Sequence, residues 1–125
     1  MFRGITYDYS GATVLITGGT SGIGLACAQG YRDAGGEVII TGRKGGASDY
    51  DADLSHMTYK QLDVADRSAL SALADSLTQL DVLVNNAGGS QGNEWKADSF
   101  DQSIVVNLSS VFHLSSFCLF TLRLR

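Results

Sequence analysis

Eight consecutive residues constrain this chain more than any others: Thr17-Gly18-Gly19-Thr20-Ser21-Gly22-Ile23-Gly24. They follow Ala12-Thr13-Val14-Leu15-Ile16-Thr17, a β-branched apolar run of the kind that forms a strand buried on both faces. After them Ile23, Cys27 and Tyr31 recur four apart, with Leu25, Ala26 and Ala28 between, and Gly35-Gly36 closes the segment as helix C-terminal glycines do. Glu37-Val38-Ile39-Ile40-Thr41 then reads as a second strand. Strand, glycine turn, helix and strand make a right-handed βαβ unit with a parallel sheet. At the positive end of such a helix a phosphate can approach backbone N–H groups, provided no side chain at Gly18 or Gly22 obstructs it, while Gly24 lets helix and strand pack closely. The same glycines would also serve a tight strand-to-helix turn that binds nothing.

The alternation continues downstream. Gly42 to Met57 is rich in Gly, Asp and Ser and reads as a loop with room for one helical turn, followed by a third strand at Met57-Thr58-Tyr59-Lys60-Gln61-Leu62. Asp66 is placed to cap a helix whose apolar face is Ala69, Leu70, Leu73, Ala74 and Leu77. Asp81-Val82-Leu83-Val84 is the fourth strand. From Asp98 a last helix carries Phe100, Ile104, Leu108, Val111, Phe112 and Ser115 on one face, with Asp98 and Asp101 near its positive end. Alternating strands and helices predict an α/β, doubly wound parallel sheet. The 125 residues fit a single domain, with Met1 to Ser10 as an N-terminal extension.

Several functions are disfavoured by composition. A net charge of −4 and a pI near 4.8 supply no basic surface for nucleic acid. Met1 to Ser10 has no apolar run long enough for a signal peptide, so a cytoplasmic setting is expected. Ile104 to Leu122 is interrupted by Asn107, His113 and four serines, which argues against a membrane span. Cys27 and Cys118 read as buried free thiols, and no metal-ligand spacing is seen. The phosphate loop of nucleotide hydrolases requires Gly-Lys-Ser/Thr, yet Gly24 is followed by Leu25 and Ala26. The Gly-x-Gly-x-x-Gly dinucleotide fingerprint is absent too, because Gly18, Gly22 and Gly24 are spaced Gly-x-x-x-Gly-x-Gly.

That spacing, with Leu62-Asp63-Val64, Asn85-Asn86-Ala87-Gly88 and Val106-Asn107-Leu108 in order behind it, resembles the short-chain dehydrogenase/reductase family from about Gly11 to Phe112. The resemblance implies a Rossmann sheet of strand order 3-2-1-4, bound to a nicotinamide dinucleotide at Gly18, Thr20, Ser21, Gly22, Ile23, Gly24, Asp63, Val64, Asn85, Ala87 and Gly88. Asp63, at the carboxyl edge of the sheet, is expected to accept from the adenine amino group, or alternatively to cap a helix. The Asn-Asn-Ala-Gly segment is expected under the cofactor's ribose, with an Asn tying neighbouring strands. The resemblance implies for Asn107 the catalytic role of the family's matching Asn, which bends its helix and holds a water in the proton relay; a satisfied core amide or an exposed one is the alternative.

Cofactor choice is read at the end of the second strand, where NAD binders place a carboxylate and NADP binders a cation. Thr41-Gly42-Arg43-Lys44 has no acid there, and Arg43 suits bidentate phosphate contact, so NADP is expected over NAD, although both cations could simply be solvated. The family's catalytic Tyr-x-x-x-Lys is not found: Ile40, His56 and Gly92 stand four residues before Lys44, Lys60 and Lys96. The sequence is therefore expected to be the nucleotide-binding front part of an NAD(P)-dependent oxidoreductase acting on a carbonyl or alcohol, incomplete at its C-terminus and inactive alone. A homo-oligomer is expected of the full-length parent. A non-catalytic dinucleotide-binding or partner-binding module is the alternative. Sugar-nucleotide epimerases, usually spaced Gly-x-x-Gly-x-x-Gly, fit less well.

Overall fold

The computed structural model describes residues 3–123. Residues 1–2 of the expected N-terminal extension and 124–125 of the tail lie outside the described residues. Four parallel strands, β1 (Thr13–Ile16), β2 (Glu37–Gly42), β3 (Thr58–Gln61) and β4 (Val82–Val84), lie in the order β3-β2-β1-β4. This is the Rossmann arrangement expected from the sequence. Leu15 stands opposite Ile39 on one side and Leu83 on the other, and Ile40 stands opposite Tyr59.

Strand alternation divides the core between two faces. Val14, Ile16, Val38 and Ile40 bury one face with Ala28 of α1 (Gly22–Asp33) and Leu54 from the loop after β2. Leu15 starts the other face, joined by Leu62 and Leu80, by Leu70, Leu73 and Ala74 of α2 (Arg67–Asp75), by Leu77 beyond it, and by Leu114 and Cys118 of the last helix. Burial pushes the Cys118 thiol up to about 11. Cys27 is half-buried, and neither cysteine is in a disulfide.

Local chemistry sets the helix ends. Asp66 caps α2 by accepting from Ala69 N–H at 3.1 Å and from Ser68 Oγ at 2.7 Å, bonds that hold its carboxyl below the usual range. α1 ends where Gly35, at φ +93°, and Gly36 turn the chain into β2, their N–H groups reaching the carbonyls of Arg32 and Tyr31. The helical turn allowed for in the Gly42–Met57 loop is a 3₁₀ turn, Ala47–Asp49.

The structure departs from expectation on two helices. In α1 the residues facing the sheet are Gly24 and Ala28, flanked by half-buried Leu25, Cys27 and Tyr31, while Ile23 is 79% exposed. Small residues let the helix approach closely, which rotates the four-apart stripe off centre. The last helix is helical from 97 to 123 but not uniformly so: α3 (Ala97–Ile104) passes through a π-helical turn, Val105–Ser109, into α4 (Ser110–Arg123). The inserted turn shifts the facing, so Ser110, Leu114 and Cys118 are buried while Phe100, Ile104, Leu108 and Phe112 are exposed. By length and composition this helical span, whose most apolar 18 residues have a mean hydropathy of 1.6, could cross a bilayer; within the fold α4 packs on α2.

Candidate functional site

At the carboxyl ends of the four strands the β1–α1 turn opens into a cleft of about 720 Å³. This is where ligands sit in open α/β sheets. Gly18, Thr20, Ser21, Arg43, Asp63, Val64, Ala87 and Gly88 all line it. A more apolar groove, between Tyr7, Tyr9 and the outer side of α1, contains none of the motif residues.

The glycine loop is built by contact as well as by backbone freedom. Gly18 has φ +66°, and a Cβ there would stand 3.0 Å from Ala87 Cα. Gly22 has φ +55° with open space around it, and a Cβ at Gly24 would collide with the Gly18 carbonyl and the Asn86 amide. Gly24 therefore packs against the loop itself, an approach closer than helix against strand. Thr17 Oγ1 accepts from the N–H groups of Asn86 and Ala87 at 3.1 and 3.0 Å, and Thr41 Oγ1 accepts from Gly18 N–H at 3.3 Å. Ser21, the N-cap of α1, makes no side-chain cap bond, so the first turn keeps its N–H groups for another acceptor. Gly22, Ile23 and Gly24 form that turn, and of this end of the helix it is the N-cap Ser21 that lines the cleft.

The two asparagines after β4 separate. Asn86 Nδ2 donates to the carbonyls of Thr17 and Gly18 at 3.2 and 3.0 Å, tying β4 to the glycine loop. Asn85 turns the other way and donates to Ser115 Oγ at 3.1 Å, so its side chain is not among those lining the cleft. The role anticipated for one Asn as a strand tie thus belongs to Asn86, a residue not among the expected contacts. Adjacent residues after a strand point to opposite sides, which composition could not resolve.

Asp63 stays exposed at the cleft and folds back only as far as Ala65 N–H, at 3.0 Å, while Asp66 takes the cap. Arg43 is exposed, and among the described residues its guanidinium has no ion pair. Asn107 lies in the π-helical turn, exposed rather than in the core. Its Oδ1 accepts from Gly89 N–H at 2.8 Å, and its Nδ2 donates to the carbonyls of Gly89 at 2.9 Å and Ser103 at 3.0 Å. A Cβ on Gly88 would stand 2.5 Å from Asn107 Oδ1, so that glycine permits the docking. Glu94 secures the next turn by accepting from Ser90 Oγ at 2.8 Å, Gln91 N–H at 2.7 Å and Ser103 Oγ at 3.1 Å. These bonds, Ser90's first, hold its carboxyl below the usual range.

Sequence reasoning left open that Asn86 is the strand tie, and missed Glu94 and the tyrosine pair Tyr50 and Tyr59, whose hydroxyls meet at 3.1 Å beside the cleft. Burial first, then Tyr50 and Asp49, push the Tyr59 hydroxyl well above the usual phenol range. Asn86 meets its partners only because β4 lies beside β1, whereas Glu94 and the two tyrosines find theirs nearby in sequence through loop turns that no periodicity marks.

A parallel sheet in this order, with a glycine-loop cleft at its switch point, defines a dinucleotide-fold protein. The short chain dehydrogenase family profile matches residues 12–123, and the chain belongs to that family. It is 39% identical over 114 residues to the uncharacterised oxidoreductase DltE of Bacillus subtilis, covering 83% of this chain and 45% of that protein. It is 30% identical over 118 residues to gluconate 5-dehydrogenase of Gluconobacter oxydans, covering 85% and 46%. An active-site complex of Pseudomonas aeruginosa RhlG with NADP superposes with TM-score 0.80 at 30% identity, covering 93% of this chain and 50% of that one. The chain thus spans about half the length of the relatives it matches.

Proposed function

We propose that this chain is the NADP-binding part of an oxidoreductase that interconverts a carbonyl and an alcohol, and that the cleft beside the glycine loop holds the dinucleotide. The observation that carries this is convergence: Ser21 at the uncapped N-terminus of α1, Arg43 with no ion pair among the described residues, and the exposed Asp63 all border one cleft at the sheet's carboxyl edge. The residues fit the group. Gly18 and Gly22 clear the approach to the first-turn N–H groups for the diphosphate, with Thr20 and Ser21 alongside. Arg43 offers a fork to a ribose 2′-phosphate where an NAD binder would carry an acid. Asp63 and Val64 border the adenine, and Ala87 and Gly88 the nicotinamide ribose.

Bound there, a nicotinamide dinucleotide supplies the hydride donor or acceptor. The chain's own residues bind and orient it. Asn86 keeps the floor of the cleft registered with the glycine loop, and Ile23, exposed at the first turn, gives an apolar contact beside it. Asn107 acts through the loop it holds: with both ends of its amide engaged by Gly89, it fixes Gly88–Gly89 against the π-helical turn, and any part it takes in a proton relay passes through that turn.

RhlG supports the cofactor class as a relative crystallised with NADP. Titrating the 125-residue chain with NADP and with NAD tests the reading. NADP should bind tighter, and Arg43→Ala should weaken NADP about tenfold or more while leaving NAD nearly unchanged, since a charge-assisted phosphate contact contributes about 1.5–3 kcal/mol. Tighter binding of NAD by the unsubstituted chain would overturn the Arg43 assignment.

A further inference from the structure

We propose that Tyr50 and Tyr59 are positioning residues for cofactor choice: together they clip the backbone of Lys44 so that, of the two cations bordering the cleft, Arg43 is the one left to meet the dinucleotide's ribose. The proposal rests on the NADP reading above and deepens it. Lys44 N–H donates to Tyr50 Oη at 3.0 Å, the two phenol oxygens are 3.1 Å apart, and Tyr59 O–H donates to the Lys44 carbonyl. Each phenol has one proton. Tyr59 spends its own on Lys44, so the bond between the phenols must be donated by Tyr50. The result is a closed ring running Lys44 N–H, Tyr50 O–H, Tyr59 O–H and back to Lys44 C=O, with both polar backbone groups of one loop residue held.

The ring is anchored from several directions. Tyr50 Oη sits so close to Gly42 that a Cβ there would collide with it, which ties the ring to the end of β2. Tyr59 belongs to β3, and Gln61 of the same strand donates from Nε2 to the Arg43 carbonyl at 3.0 Å. Two consecutive carbonyls, those of Arg43 and Lys44, are therefore held from the neighbouring strand. The clip also sorts the two cations. Lys44 Nζ lies 4.9 Å from the Tyr50 ring centroid and donates to the Asp49 carbonyl at 3.2 Å, folded back over the loop. Among the described residues the Arg43 guanidinium has no ion pair, and both cations border the cleft. Tyr50 itself lines the cleft, so the device stands where the ribose end of a dinucleotide would lie.

The test is a calorimetric titration of Tyr50→Phe, Tyr59→Phe and Arg43→Ala with NADP, NAD, adenosine 2′,5′-bisphosphate and adenosine 5′-monophosphate, with thermal unfolding as a check on the fold. Each phenylalanine variant opens the ring but keeps the aromatic pair. The expected result is a loss of preference for the 2′-phosphorylated ligand of each pair by about two- to tenfold, the effect of one hydrogen bond. NAD and adenosine 5′-monophosphate should stay within about twofold. Parallel weakening of all four ligands would mean a merely structural role and overturn the proposal, as would unchanged preference in both variants. Failure of the underlying reading looks different: the unsubstituted chain would prefer no 2′-phosphate, or Arg43→Ala would leave its preference intact. Lost preference in Arg43→Ala with none lost in the phenylalanine variants overturns the clip alone.

Discussion

Gly24 shows how much a single atom decides at the residue scale. A methyl there meets backbone on one side, the Gly18 carbonyl, and on the other the Asn86 amide, which is already committed to two carbonyls. Neither neighbour can yield without disturbing the other. Gly24→Ala should therefore cost about 1–3 kcal/mol of stability, the usual range for overpacking, and weaken dinucleotide binding more than a surface Gly→Ala such as Gly30→Ala, where the space is open. Chemical unfolding and dinucleotide titration of the two variants would measure this; equal stability and affinity would count against the tight approach. The sequence indicated a glycine requirement at Gly18, Gly22 and Gly24 because strand-turn-helix geometry demands it. It could not say which neighbour made each glycine necessary, because the atoms that crowd Gly24 come partly from Asn86, far along the chain.

Among the elements, the strands and α2 were legible because their periodicities are undisturbed: a central strand buried on both faces, a capping Asp66, a stripe of leucines. The last helix was not, because the π-helical turn at Val105–Ser109 breaks the period on which facing was judged. The turn after β4 depends on that helix. Glu94 and Asn107 grip it from both ends through Ser103, whose hydroxyl serves Glu94 and whose carbonyl serves Asn107. Glu94's folded-state pKa lies below its unfolded value, chiefly through the Ser90 hydroxyl and the Gln91 N–H. Its contribution is thus fully present above the unfolded carboxylate range, about pH 4.3, and is lost as pH falls through the folded value. Glu94→Gln should lower the melting temperature at pH 7, and the gap from the unsubstituted chain should narrow as pH falls below the unfolded carboxylate range. A gap that persists at low pH would mean the carboxylate charge is not what holds the turn.

At the scale of the whole molecule, the sheet ends in β4 on one side. β4 pairs with β1 on one side, and among the described residues nothing pairs with its other edge. Val82, Leu83 and Val84 are only half-buried and carry none of the charges, prolines or bulges by which edge strands discourage further pairing. The helix beside that edge, linked to it by the Asn85–Ser115 bond, exposes Leu108 at 61%, Phe112 at 67% and Phe120 at 73%. Scattered apolar side chains on a surface mean little, but Leu108, Phe112 and Phe120 recur at intervals of four and eight along one helix. The 125-residue chain should therefore self-associate in solution. Light scattering after size-exclusion chromatography should show species larger than 13.2 kDa that shift towards monomer on dilution. Leu108→Glu combined with Phe112→Glu should restore the monomer with little effect on the melting temperature, because both side chains are exposed in the single chain. A monodisperse monomer in the unsubstituted chain at tens of micromolar, melting sharply above about 60 °C, the upper part of the usual mesophile range, would show that neither edge nor helix needs a partner and would favour a stand-alone binding module.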